Sequence, residues 1–154
     1  MKRIYASAIC ILIPVILQAK PALEIVLNSS QTTNPFGVAF DGKGKVYVAE
    51  YQGGRILLLG PEGTLRTFSG NGQKGFAGDG FDAKEAVYNG IHNVVRTSNG
   101  DLYVSDTRNN LIRKIDGKTN ITSTIAGIAG KKGFSGDGGL ATRAQLADPI
   151  SISL

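Results

Sequence analysis

The chain has 154 residues, 21 of them glycine and none tryptophan, with a formal charge of +5. That length holds one ordinary domain and one core, and the glycine-rich, β-branched, turn-punctuated composition excludes a helical bundle in favour of an all-β fold. Lys2, Arg3 and Lys20 lie at the N-terminus, so residues 23–154 carry 14 basic against 12 acidic side chains, a balance that excludes a basic face for nucleic acid.

Residues 1–22 read as a secretory signal. Lys2 and Arg3 form its basic start, Ile4 to Leu17 its apolar stretch, and Ala19 and Ala22 offer small residues for cleavage. The apolar stretch is short for a transmembrane helix, and no membrane insertion is expected after cleavage; an uncleaved N-terminal anchor is the alternative. Cys10 falls inside it, so the mature chain has no cysteine, no disulfide and no thiol chemistry. Export to a periplasm or to the exterior is the expected localisation. Residues 23–154 form the remaining domain, and Leu23 to Ser30 is either a strand for another blade or a leader.

Four short strands follow: Gly37–Phe40, Lys45–Glu50, Arg55–Leu59 and Thr64–Ser69. The Asp41-Gly42 and Pro61-Glu62-Gly63 turns join them as a meander, since Asp-Gly favours positive φ. A long glycine-rich connection runs from Gly70 to Gly90. A second meander repeats the pattern at Asn93–Arg96, Leu102–Ser105, Leu111–Ile115 and Ile121–Ala126. A second long connection, Gly127 to Asp148, leads to Pro149–Leu154, the opening of a third first strand. Tyr47 and Tyr103 are 56 residues apart and Phe76 and Phe134 are 58 apart, so the repeat unit is one meander plus one connection. The repeats run over about 34–90, 91–148 and an incomplete 149–154. A four-stranded meander of this kind is one blade of a propeller or one quarter of another closed β structure.

Two segments carry a resemblance to a known family. YVSDTRNNLIRKI and the following TIAGIAGKKGFSGDGGLATRAQLADP resemble NHL-repeat β-propellers, in particular the long-loop secreted bacterial subtype, and are similar to the repeats of the teneurin propeller. The first repeat is degenerate: Gly53-Gly54 replaces the Asn109-Asn110 pair, and the second glycine after Asp79 is missing. The resemblance implies an all-β propeller of which this chain holds about two four-stranded blades and the start of a third. A fragment of a longer protein is expected, because a propeller closes with about four to eight blades and open blade faces need neighbours. Closure by several copies is the alternative.

The function is less legible. The residues that mark the repeat motif are Asp106, Asn109, Asn110, Phe76, Asp79, Phe134 and Asp137. Asp106, with Glu50 its counterpart, reads as a turn acid whose carboxylate serves backbone N–H groups. The loop aspartates Asp79 and Asp137 read the same way, with Phe76 and Phe134 tucked under their loops. A calcium reading of the two aspartates requires several loops to converge, since calcium takes about six to eight oxygens. The glycine-rich loop is not a phosphate-binding loop, because no Gly-Lys-Ser/Thr follows it. Ala83–Tyr88 and Ala141–Leu146 read as single helical turns packed between blades. Arg55, Arg113 and Lys114 are expected to be solvated or paired with neighbouring blades.

His92 is the single histidine and aligns with Phe36 and Ile150. It is either a half-buried strand residue or a metal ligand or general base at the channel mouth. No Ser/His/Asp or Cys/His set can be assembled, so no catalytic residue and no cofactor is assigned, with calcium or zinc as the only metals considered. The leading expectation is an exported scaffold that binds a protein or carbohydrate through its loops, beside adjoining blades of the same longer chain or further copies. The alternative is a metal-dependent lyase or lactonase. Peptidylglycine amidating lyase resembles this family and uses metal-bound histidines, and this alternative requires the remaining ligands in further blades. A sensor domain ahead of a membrane segment is a weaker third.

Overall fold

A computed structural model describes residues 27, 28 and 30–154. The signal reading of residues 1–22 and Cys10 lie outside the described residues. Among the described residues, eight strands form two four-stranded antiparallel sheets. The first contains β1 (Pro35–Phe40), β2 (Val46–Glu50), β3 (Ile56–Leu59) and β4 (Leu65–Ser69). The second contains β5 (Ile91–Arg96), β6 (Leu102–Asp106), β7 (Leu111–Ile115) and β8 (Thr122–Ala126). Each sheet runs in sequence order, as hairpins require. The first strand of each sheet starts two residues earlier than expected. The register breaks between Pro35 and Val38 and again between Ile91 and Val94, so each strand continues past a bulge that sequence periodicity does not reveal.

The hairpin turns follow from their acids. The Asp41 carboxylate accepts the N–H groups of Lys43 and Lys45 at 2.7 and 2.9 Å. Asp116 accepts those of Lys118 and Thr119 at 3.0 and 2.9 Å, which holds its pKa down to about 2.

The core lies between the two sheets. Ala39, Tyr47, Ala49, Ile56 and Leu58 on one side meet Ile91, Val94, Leu102, Val104 and Ile115 on the other, with Ala83, Ala86 and Tyr88 of the connecting segment wedged between them. The strands β1 and β5 run closest together. A Cβ on Gly37 would stand 2.7 Å from the carbonyl oxygen of His92, so only glycine lets these strands approach so far. On the far face of the first sheet, Leu27 packs with Val46, Val48, Leu57 and Leu59.

The connecting segment 70–90, the first linker, joins the blades. Gly70 N–H and Ser69 Oγ both donate to the Ala83 carbonyl, at 2.9 and 2.8 Å, which ties it to the first sheet. Ala83 N–H donates to Asn120 O, and Gly80 N–H to Thr122 O, both at 2.8 Å, which ties it to the second. Its expected helical turn is a short 3₁₀ turn, Ala83–Glu85, capped by Asp82. Ala83, Ala86 and Tyr88 are fully buried, and the Tyr88 hydroxyl is 2.8 Å from Ser69 Oγ. The segment 127–148, the second linker, folds the same way internally. Gly127 N–H donates to Ala141 O at 3.0 Å, and Gly133 N–H to Leu146 O at 3.1 Å.

Candidate functional site

The repeated acids close a clasp at the entry to each blade. Glu50 ends β2 and Asp106 ends β6, and both are fully buried. Glu50 accepts the Thr33 N–H at 2.7 Å, and Asp106 accepts the Asn89 N–H at 2.8 Å, each reaching 17 residues back. Each carboxylate thus pins the chain as it approaches its own first strand. The two blades fill the space around the acid differently. In the second, Asn109 Nδ2 donates to Asp106 at 2.8 Å and to Gly75 O at 2.6 Å. In the first, the longer Glu50 occupies that room, and any Cβ at Gly53 would collide with its carboxylate. Asn110, with φ of 58°, supplies the left-handed residue that Gly54, with φ of 62°, supplies in the first blade.

The cations around these acids differ from expectation. Arg113 is not solvated but fully buried, and it pairs both with its own blade and, as one expected alternative had it, with the connection of the neighbouring repeat. Its guanidinium lies 3.5 Å from Asp106 and 2.7 Å from Asp79, and donates to Ala77 O at 3.1 Å. The rings of Phe76 and Tyr88 lie 5.0 and 5.4 Å from its centre. Arg55 pairs with Glu50 at 2.7 Å and Lys114 with Asp101 at 2.7 Å, both within their own blades. Burial pushes the Asp106 pKa up to about 6, against the lowering effects of Asn109, the Asn89 N–H and Arg113.

The loop acids also need correction. Asp79 does not serve its own loop's backbone; its carboxylate neutralises Arg113. That commitment removes it as a cation ligand. Phe76 covers Arg113 and is 44% exposed, whereas Phe134 is 87% exposed and is not tucked under its loop. The reason is positional. The first linker rests on the second sheet, while among the described residues no sheet lies beyond the second linker, with Phe134 and Asp137. Among the described residues, no three His, Cys, Asp or Glu side chains come together to hold a metal, so His92, Asp79 and Asp137 do not form one centre.

His92 belongs to a different cluster, which sequence reasoning missed. It sits in β5, with Phe36 of the neighbouring β1 4.6 Å away edge-on and Tyr51 4.4 Å away. Arg108 donates through Nε to the Tyr51 hydroxyl at 2.9 Å, and its guanidinium lies over that ring. Thr107 Oγ donates to Pro149 O at 2.6 Å, so its oxygen accepts from His92 Nδ1 at 2.8 Å. This places the imidazole proton on Nδ1 and leaves Nε2 as an acceptor. Burial, reinforced by the charge of Arg108, holds His92 below its usual range and therefore neutral at pH 7. Phe36 is 61% exposed and Arg108 is exposed. The signal that could have found the cluster is the alignment of Phe36 with His92, read together with the residues just after each repeated acid, Tyr51 and Arg108.

Sheets of four strands in sequence order, with neighbouring first strands packed together and a linker between blades, are β-propeller blades. No family model matches the chain. It is 35% identical over 118 residues to NHL repeat-containing protein 2 of Gallus gallus, taking in 76% of this chain and 15% of that protein. A solved structure of unknown function from Bacteroides thetaiotaomicron superposes with a TM-score of 0.70 at 19% identity, over 84% of this chain and 34% of that one. A streptogramin B lyase aligns at a TM-score of 0.45 and 18% identity, over 62% of this chain and 27% of that one, too loosely to carry an argument. The chain belongs to the NHL-repeat β-propellers, and it spans a small part of the curated relative it matches.

Proposed function

We propose that these blades belong to an exported, non-catalytic propeller that presents the loop end bearing Phe36, Tyr51, His92 and Arg108 to a protein or carbohydrate partner. One observation carries the reading. Glu50 and Asp106, the acids at the strand ends where an acid–base pair would be sought, are both committed to backbone N–H groups and to Arg55 and Arg113. The residues left uncommitted at that end are aromatic and cationic, which suits recognition. Export rests on the signal pattern of residues 1–22. The exposed second linker, with Phe134 and Leu140, seats a further blade of the same kind, from a longer chain or a second copy.

The test is metal analysis of the purified full-length protein alongside a glycan array and a binding screen against exported proteins. Metal-free protein with a saturable partner supports the scaffold. Stoichiometric zinc or calcium, with turnover of a lactone or lyase substrate that His92→Ala abolishes, overturns it in favour of the metal-dependent enzyme.

A further inference from the structure

The geometry points to a subsite for one hexuronate unit of an acidic saccharide, formed by Phe36, Tyr51, His92 and Arg108 where β1 and β5 meet. The inference rests on the ligand-binding reading above and names its ligand.

Each residue supplies one element of the recognition. Phe36 offers an exposed ring against which the apolar C–H face of a sugar can stack. Arg108 gives its Nε to Tyr51, which fixes the plane of the guanidinium. Among the described residues no carboxylate pairs with it, so the two Nη groups present an end-on fork that fits a planar carboxylate. His92 Nε2, fixed as an acceptor by the Thr107–Pro149 relay, accepts a hydrogen bond from a sugar hydroxyl. Asp148, the acid that acts on His92, is itself paired with Lys132.

The site is built before any ligand arrives. The turn that carries Arg108 is held by Thr107 N–H to Gly90 O at 3.2 Å and Arg108 N–H to Asn89 O at 2.9 Å. Tyr51 is held by its N–H to Asn34 O at 2.9 Å. Little ordering is left to oppose binding. A neutral sugar would leave Arg108 idle, and a phosphate group would call for more than one cation. A carboxylate, a hydroxyl and an apolar ring face on one small molecule describe a uronate.

Calorimetric titration of the full chain with trigalacturonic acid and with its methyl ester tests this. The acid should bind, and the ester should bind about tenfold more weakly, as should the acid to Arg108→Gln, because a hydrogen bond to a charged group is lost. Phe36→Ala should weaken both ligands alike. Both side chains are exposed, so unchanged circular dichroism and melting confirm that each variant is folded. Equal binding of acid and ester, or acid binding untouched by either substitution, overturns the subsite. Binding of only a protein or a neutral glycan also overturns it while the scaffold stands. Stoichiometric metal with turnover removes both readings.

Discussion

At the scale of single residues, the informative position is Arg113. Its register partner is Val104, as that of Leu57 is Val48 in the first blade, so an arginine stands where the other blade has leucine. Sequence reading left such a residue either solvated or paired with a neighbouring blade, because a charge alternating with apolar neighbours looks like an outward face. What it could not show was that a loop aspartate 34 positions earlier would meet it. Arg113→Leu should destabilise the chain by about 3–5 kcal/mol, since the buried Asp106 loses its cation. Adding Asp106→Asn should recover part of that loss, and a double-mutant cycle in urea measures the coupling. Asp106 also makes stability depend on pH. Its folded pKa of about 6 lies above the ordinary 3.8, so folding takes up a proton between those values. The resulting stabilisation is fully present below pH 3.8 and is lost as pH rises through about 6. The full span is about 3 kcal/mol. Wild type should therefore lose stability relative to Asp106→Asn between pH 5 and 7, and urea unfolding at both values checks it.

At the scale of elements, the two linkers are one structure in two settings. Their hydrogen bonds repeat, yet Phe76 rests on Arg113 while Phe134 faces solvent. Phe76→Ala should lower stability by about 1–2 kcal/mol through lost burial and cation–π contact. Phe134→Ala should change it by less than about 0.5 kcal/mol. Paired melting curves of the two variants decide this, and equal losses would show that the second linker is packed in solution. The linker turns were legible because Ala83, Ala86 and Val87 stand at helical spacing. That the turns are 3₁₀ was not, since a single turn gives no period to measure. The cluster around His92 was only half legible. The alignment of His92 with Phe36 is in the repeat, but Tyr51 and Arg108 stand 57 positions apart and meet across the join between blades.

At the scale of the whole molecule, the architecture was the most legible level, because a meander that recurs after 56 residues leaves few other folds. The sheet order agrees with that reading; the first strand of each sheet starts two residues early, where a bulge lies, and β2, β3, β4 and β8 each start one residue later than expected. The exposed Phe134 and Leu140 on the second linker predict that the 154-residue chain self-associates as concentration rises. Light scattering should show the average mass increasing over the micromolar range, and Phe134→Ser should lower it; a constant monomer mass would refute the expectation. The acid clasp has one further consequence. Glu50 and Asp106 each reach back 17 residues and stop, so each clasp closes within a 56-residue unit counted from Thr33 or from Asn89. A gene segment of that length, duplicated in tandem, would inherit a finished fastening and would need no new residue elsewhere to hold it. Such a protein can lengthen by copying, and each copy is then free to drift, as the first repeat has done in carrying a glutamate and two glycines where the second has an aspartate and two asparagines.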